Sequence, residues 1–173
     1  MREGGNVRLK SYLVIATGLW LSSASVNASD PVTPAKDIEG LFHSSDPKLN
    51  ANKQVVYYIL KDMIQSGHWE LAPKYMTERY IQHNPAVPTG RDNAVKFFIE
   101  VVKIKPMPIE PTLKMPIVSV IAEGDYVGVA VKREAPDPKD RNSKYTTTWF
   151  DMWRFKDGKA DEHWDAATPD SQF

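Results

Sequence analysis

Two neighbouring stretches near the C-terminus carry acidic, imidazole and indole side chains that could support acid–base chemistry. In the first, residues 145–155, alternation along a strand would place Asp151 on one face between Trp149 and Trp153. A carboxylate in such apolar company is costly unless it is paired or hydrogen-bonded. We therefore expect Asp151 to have a specific partner or a specific task.

The second stretch, residues 159–167, runs back beside the first across a tight turn. Asp161, His163 and Asp165 would then share one face of that strand. If the registers of the two strands match, His163 and Asp165 converge with Asp151 near one site. Two carboxyl groups and an imidazole in an apolar environment have the parts of a general acid and a general base.

The same residues also allow purely structural interpretations. Asp151 could pair with an arginine such as Arg91 or Arg154, and His163 could lie at a solvated sheet edge. A metal site is conceivable as well, but His163-x-Asp165 is not a closed set of ligands. We expect neither a metal nor a cofactor.

A second polar cluster lies in a loop that precedes the third predicted helix. His83 and Asn84 stand before a proline, where a histidine can be exposed or can enter a pocket. Arg91 is at the start of the helix, where a positive charge opposes the helix dipole. We expect an anionic partner for it, which could be Asp151, Glu100 or a ligand.

The composition of the chain excludes several classes of protein. Its 173 residues include no cysteine, which removes disulfides, thiolate metal sites and thiol nucleophiles. Lysine plus arginine and aspartate plus glutamate both number 22, so no net charge attracts nucleic acid or anionic lipid. We expect no nucleic-acid partner and no membrane partner for the mature protein.

The N-terminus has the three parts of a cleavable signal peptide, which we place at residues 1–28. A basic segment precedes an apolar run over residues 12–21, about half the length that a membrane-spanning helix needs. The small residues before Ser29 are typical of a cleavage site. A disulfide-free exported protein suggests a periplasmic location, with secretion as the alternative.

The rest of the chain is predicted as one domain behind a short connecting segment. Residues 29–49 contain few large apolar side chains and are predicted as a flexible leader, and residues 50–173 as the domain. Apolar residues at three- and four-residue spacing predict a long helix that Gly67 ends. A short second helix follows, and then a third that Thr89 or Asp92 could cap.

Beyond residue 111 the apolar pattern changes to period two, which predicts strands joined by hairpin turns such as Asp157-Gly158. The predicted strands cover residues 112–122, 126–134, 145–155 and 159–167. Helices and strands are segregated along the chain, so the fold class is α+β. We expect three N-terminal helices packed on one face of a curved antiparallel sheet.

Two motifs closely resemble those of the SnoaL-like proteins, which belong to the nuclear transport factor 2-like superfamily. They are Tyr80-Ile-Gln-His-Asn-Pro and Asp157-Gly-Lys-Ala-Asp-Glu-His-Trp-Asp165. The resemblance implies a cone-shaped, cystatin-like roll, in which a strongly bent sheet clasps the helices around a pocket. It also implies a homodimer through the outer sheet face, which would cover Phe150 and Met152.

Characterised members of that family include polyketide ester cyclases, in which a carboxylate on the last strand acts as acid and base. Asp165 stands at the matching position, and the motifs make His83, Asn84 and His163 the assisting residues. The expected catalytic residues are Asp165, His83, His163 and Asp151. The expected ligand-binding residues are Asn84, Arg91, Trp149, Trp153 and Tyr80.

Two functions remain open on the sequence. In the first, the protein is a cofactor-independent enzyme in which Asp165 takes a proton next to a carbonyl of a small hydrophobic substrate, for isomerisation or aldol-type cyclisation. In the second, it is an exported, non-catalytic module that binds such a molecule in the same cavity. The acid cluster favours the enzyme, whereas an exported location favours binding.

Overall fold

The computed structural model describes residues 30–140 and 142–169. The signal peptide that the sequence predicts over residues 1–28 lies outside these described residues. Within them, no helix combines the length and the apolar character that crossing a bilayer requires.

The helices form one layer of the fold. They are α1 (Ile38–Leu41), α2 (Pro47–Tyr58) with a π-helical continuation (Ile59–Gln65), a 3₁₀ turn (Trp69–Leu71), α3 (Ala72–Tyr75), and α4 (Arg91–Lys96) with a π-helical continuation (Phe97–Val101). The carboxylate of Asp46 caps α2 by accepting the backbone N–H of Leu49 at 2.9 Å. The long helix stops before Gly67, as predicted, because φ of 77° favours glycine there.

Much of the segment that the sequence predicts as a flexible leader is packed against the domain. Phe42 is fully buried, with its ring 5.3 Å from that of Tyr57 in α2. The backbone N–H of Ala35 donates to the carbonyl of Ile117 at 2.8 Å. A low density of apolar residues suggested mobility, but one buried aromatic ring is enough to anchor a short segment.

The strands form one curved sheet, which confirms the α+β class. They are β1 (Met76–Gln82), β2 (Ile117–Glu123), β3 (Tyr126–Pro136), β4 (Lys144–Lys156) and β5 (Lys159–Asp165), in the spatial order β1-β5-β4-β3-β2. The strands β2 to β5 are the predicted antiparallel meander. The sheet gains a fifth strand, because β1 pairs with β5 in parallel.

The tight turn between β4 and β5 sets the register of the site. Asp157 and Gly158 have φ of 51° and 74°, the left-handed pair that a two-residue hairpin turn requires. In the resulting ladder Asp151 lies opposite Asp165. The face of the sheet that carries Trp153, which is 2% exposed, is covered by the helices and is called the inner face below.

A β-bulge changes the predicted alternation of β5. The ladder shifts register between Arg154 and Phe155, and Asp161 becomes the extra residue. Its buried carboxylate binds the guanidinium groups of Arg79 and Arg154. The prediction that Asp161 shares a face with His163 is therefore wrong, because the bulge turns its carboxylate toward the two arginines.

Candidate functional site

A cavity of about 190 Å³ lies between the helices and the inner face of the sheet. Its apolar walls are Leu60, Ile64, Trp69, Val87, Phe98, Met115 and Val131. Its more polar lining comprises Gln82, Asn84, Arg133, Trp149, Asp151, His163 and Asp165. A smaller space of about 60 Å³ shares part of this lining and extends to Tyr80 and Trp153. An apolar chamber with a few polar groups on one wall is the usual form of a small-molecule site.

The structure brings together the three groups whose convergence the sequence predicts. Nε2 of His163 is 3.2 Å from Oδ1 of Asp151, and Nδ1 of His163 is 4.0 Å from Oδ2 of Asp165. The side chains of His163, Asp151 and Asp165 are 9%, 16% and 7% exposed, so water screens their interactions only weakly. The three residues therefore form one electrostatically coupled cluster at the cavity wall.

Gln82 determines which nitrogen of His163 carries a proton. Its Oε1 accepts the backbone N–H of Asn84 at 3.1 Å, so this amide atom is the carbonyl oxygen. The same oxygen lies 2.9 Å from Nδ1 of His163. Two acceptors cannot form a hydrogen bond with each other, and Nδ1 must therefore be protonated.

The remaining nitrogen of His163 shares a proton with Asp151. Either the imidazolium donates from Nε2 to the carboxylate, or a protonated carboxyl donates to a neutral ring. Oδ1 of Asp151 also accepts the indole N–H of Trp149 at 3.2 Å. The same carboxyl oxygen of Asp151 thus lies within hydrogen-bond distance of the indole N–H and of the imidazole.

Two hydrogen-bond donors fix the position of the Asp165 side chain. Its Oδ2 accepts from Nδ2 of Asn84 at 2.7 Å, and its Oδ1 accepts the backbone N–H of Ala167 at 2.8 Å. Asn84 is 4% exposed, and its own oxygen accepts the N–H of Ala86 at 2.9 Å. The amide orientation is therefore fixed, and Asp165 has a defined position in the cavity wall.

Aromatic rings surround the imidazole. The ring of Trp153 lies 4.9 Å from that of His163, and the ring of Tyr80 stacks on it at 6.4 Å. Burial raises the pKa of Tyr80 far above its ordinary value, so its phenol is neutral. These rings exclude water from one side of the acid cluster.

The sequence profile of the SnoaL-like domain matches residues 58–163, more than half of the chain. This chain belongs to the SnoaL-like domain family. No curated protein matches it significantly.

Several solved structures are similar at low sequence identity. A candidate polyketide cyclase from Bacillus cereus is 24% identical over 68% of this chain and 72% of that one, with a TM-score of 0.43. A candidate SnoaL-like polyketide cyclase from Jannaschia is 17% identical over 72% and 91%, with a TM-score of 0.47. An NTF2-like protein of unknown function from Mesorhizobium loti is 14% identical over 73% and 97%, with a TM-score of 0.48. Similarities this distant carry no information about activity.

In this SnoaL-like domain His83 does not enter the cavity, contrary to the expectation that it assists catalysis. Its ring is exposed, stacks on Trp164 at 4.9 Å and lies 2.8 Å from Oε1 of Glu162. Neighbouring residues on an extended chain point to opposite sides, so Gln82 and Asn84 face the site instead. Tyr80 was predicted to bind the ligand, and alternation along the strand from Tyr80 could have predicted that Gln82 also faces the cavity.

Arg91 is also outside the cavity of the SnoaL-like domain. Its Nε pairs with Oδ1 of the neighbouring Asp92 at 2.9 Å, so neither Asp151 nor Glu100 is its partner. The first position before α4 is Gly90, and no side chain caps the helix. Asp92 therefore does not cap the helix. Its carboxylate forms the ion pair that neutralises the charge of the adjacent Arg91.

Arg133 lines the cavity from β3, although it is not among the residues that the sequence predicts for the site. Its guanidinium carbon lies 4.1 Å from the ring centre of Trp149. Val129 and Val131 precede it on the same side of the strand, and the period-two pattern could have placed it there.

The acid cluster is also the place where a metal ion could bind. Among the described residues, Asp151, His163 and Asp165 are the group whose donor atoms approach closely enough, all within 4.8 Å of one another. However, Nδ1 of His163 donates to Gln82, so only Nε2 could serve as a ligand. A metal would have to replace the bond from that nitrogen to Asp151.

Proposed function

We propose that this SnoaL-like domain is a cofactor-independent acid–base enzyme for a small hydrophobic carbonyl compound. The reaction begins with removal of a proton from the carbon next to the carbonyl. Isomerisation or aldol-type cyclisation follows. The observation that carries the proposal is the cluster at the wall of an apolar cavity, in which Nε2 of His163 lies 3.2 Å from Asp151 and Nδ1 of the same ring lies 4.0 Å from the Asp165 carboxylate.

Each member of the cluster has a separate role. The Asp165 carboxylate takes the proton, and the electron pair of the C–H bond moves into the carbonyl to form an enolate. Nε2 of His163 turns its hydrogen bond from Asp151 to the enolate oxygen, and the nearby Asp151 carboxylate balances the charge of the imidazolium. Return of the proton from Asp165 to another carbon completes an isomerisation. In a ring closure the enolate carbon attacks a second carbonyl, and the alkoxide that forms takes the proton from Asp165, which restores the carboxylate.

The surrounding residues support these roles. Asn84 orients Asp165, and Gln82 keeps Nδ1 of His163 protonated so that Nε2 faces Asp151. Trp153 and Tyr80 exclude water, which strengthens every charge interaction in the cavity. His83 has no part in this scheme because its ring lies on the other side of the sheet.

A binding module is the second candidate, and the hydrogen bonding of Asp165 favours it. Both oxygens of that carboxylate already accept a hydrogen bond within the protein, which is the arrangement expected of a group that only orients a ligand. In this alternative the same cavity holds an apolar carbonyl compound, and the polar groups only orient it.

Proton exchange in D₂O tests the two candidates without knowledge of the natural substrate. A panel of acetophenones, tetralones and cyclohexanones is first screened for binding by thermal shift. Exchange of the protons next to the carbonyl is then followed by NMR for each binder. We expect the wild type to accelerate exchange and Asp165→Asn to slow it by roughly a hundredfold or more, because a general base contributes about that factor.

The matched control is Asp157→Asn, which removes an exposed carboxylate in the β4–β5 turn and should leave exchange unchanged. Equal exchange in wild type and Asp165→Asn would remove Asp165 from the role of base. Tight binding without exchange of any compound would favour the binding module.

We also propose that the protein is exported, to the periplasm or the medium, after removal of residues 1–28. Mass spectrometry of the mature protein should then find an N-terminus at or near Ser29. A cytosolic protein that retains Met1 would contradict this proposal.

A further inference from the structure

Arg133 lies at the cavity with its guanidinium largely uncommitted. It stands on the inner face of β3, and its cross-strand neighbour is the uncharged Thr147. Its guanidinium carbon lies over the ring of Trp149, at 4.1 Å from the ring centre, which makes a cation–π contact. That contact uses none of the five N–H donors of the guanidinium.

Within residues 30–140 and 142–169, Arg133 has no ion-pair partner and no hydrogen bond from its guanidinium. The adjacent Lys132 differs, since it approaches Glu134 at 3.8 Å on the other side of the strand. The other three arginines among the described residues have acidic partners, since Arg79 and Arg154 bind Asp161 and Arg91 pairs with Asp92. An arginine that lines a cavity without a carboxylate of its own is available to an anionic ligand.

The charged side chains of the cavity would orient an anionic ligand. Asp151 and Asp165 repel an anion from the cluster around His163, whereas Arg133 attracts it to the part of the cavity beside the ring of Trp149. Trp149 and Asp151 are alternate residues of β4, so the indole lies next to the acid cluster on the same face of the sheet. The anionic group would therefore bind beside Trp149 while the reacting carbonyl faces the cluster.

We propose that Arg133 is a specificity-determining residue that binds a carboxylate on the ligand, so that the natural substrate is a small apolar keto acid rather than a neutral ketone. This inference rests on the proposed function for the orientation of the carbonyl. The planar fork of the guanidinium matches the two oxygens of a carboxylate, and the cation–π contact with Trp149 favours its position at the cavity.

Matched pairs of carboxylates and carboxamides test the inference by binding alone. The probes are 4-acetylbenzoate against 4-acetylbenzamide, and 4-acetylphenylacetate against its amide, measured by isothermal titration calorimetry. For the wild type we expect each carboxylate to bind on the order of tenfold more tightly than its amide at low salt. Since Arg133 is exposed at the cavity edge, the preference should shrink as salt is raised.

Three variants assign the preference to this residue. Arg133→Gln should abolish it, and Arg133→Lys should keep only part of it, because lysine retains the charge and loses the planar fork. Lys132→Gln is the matched control, since it removes one positive charge from the neighbouring position on the opposite side of β3, and the preference should persist. Equal affinity for acids and amides in the wild type, failure of both carboxylates to bind, or the same loss in Lys132→Gln would overturn the inference.

The same measurements in Asp165→Asn separate this inference from the proposed reaction. A preference for carboxylates that depends on Arg133 needs no proton transfer and should persist in that variant. If it persists while the wild type converts no compound, the binding role of Arg133 stands and the enzyme proposal fails. If compounds are converted but carboxylates and amides bind equally well, the enzyme proposal stands and the binding role of Arg133 fails.

Discussion

Oε1 of Gln82 lies 2.9 Å from Nδ1 of His163 and also accepts the backbone N–H of Asn84. One amide oxygen thus joins the end of β1 to the acid cluster on β4 and β5. Because β1 is parallel to β5 and Gln82 lies beside His163 in that ladder, the contact depends on the edge strand. The protonation of the site is in this way coupled to the packing of β1.

The first prediction concerns Gln82. Gln82→Leu leaves Nδ1 of His163 and the N–H of Asn84 without their acceptor, which should cost about 1–3 kcal/mol of the free energy of unfolding. Long-range ¹H–¹⁵N NMR spectra should show Nδ1 of His163 protonated in the wild type and mixed in the variant. Gln82→Glu keeps an acceptor oxygen at this position and is the matched control. A wild-type spectrum with unprotonated Nδ1 would contradict the assignment.

The second prediction concerns the pH dependence of stability through His68. Its two ring nitrogens lie 2.6 Å from Oε1 of Glu70 and 2.7 Å from the carbonyl of Met107, both acceptors, so the ring is an imidazolium. The hydrogen bond to Glu70 chiefly raises the pKa of His68, and the same bond chiefly lowers that of Glu70.

The raised pKa of His68 and the lowered pKa of Glu70 determine the pH range in which this ion pair stabilises the fold. The contribution of His68 is fully present below its ordinary pKa of 6.5 and is lost as pH rises through the raised value. The contribution of Glu70 is present above its ordinary pKa of 4.5 and is lost as pH falls through the lowered value. His68→Gln should therefore lower the melting temperature near pH 5.5 and have little effect near pH 9. His43→Gln, at another position outside the core, is the control, and an equal effect of His68→Gln at both pH values would contradict the prediction.

The third prediction concerns the buried carboxylate of the β-bulge. Asp161 binds Arg79 and Arg154 and accepts the hydroxyl of Thr77 at 2.8 Å. Asp161→Asn removes the charge between two arginines and should cost about 2–3 kcal/mol, less than for a fully buried pair because Arg79 is half exposed.

Urea unfolding at two pH values tests this prediction. Hydrogen bonding from Arg79 is the largest cause of the lowered pKa of Asp161, so its contribution is present above the ordinary value of 3.8 and is lost as pH falls through the lowered value. The difference between wild type and Asp161→Asn should be full at pH 7 and should shrink in strong acid. Asp157→Asn in the exposed turn should match the wild type, and a pH-independent difference would argue against an ionic origin.

The fourth prediction concerns the outer face of the sheet, through which we propose a homodimer. Phe150 and Ile121 are 61% and 72% exposed there, and an open groove of about 350 Å³ lies beside Met152. In an isologous pair Phe150→Glu places the same charge on both partners in an apolar interface, so the variant should be monomeric. Light scattering at micromolar concentration checks this. Tyr145→Glu, at an exposed aromatic on the alternate set of β4 positions, should remain dimeric, and a monomeric wild type would refute the proposal.

The hairpin of β4 and β5 shows what the sequence determined by itself. Asp157-Gly158 can adopt the left-handed pair of a two-residue turn, and that turn sets the register of the residues on either side. Alternation from the turn then places Asp151 near His163 and Asp165, although the bulge at Asp161 intervenes. These relationships are local, so the pattern of residue types was enough to predict them, together with the α+β class.

Only the tertiary structure decided which other residues join the cluster. The pairing of β1 with β5 joins segments about eighty residues apart, and it selects Gln82 and Asn84 for the cavity while His83 faces the other side. The period-two pattern could have put Arg133 on the inner face, but its contact with Trp149 depends on the register in which β3 pairs with β4. Such contacts depend on how distant elements pack, and neither residue type nor local spacing specifies that packing.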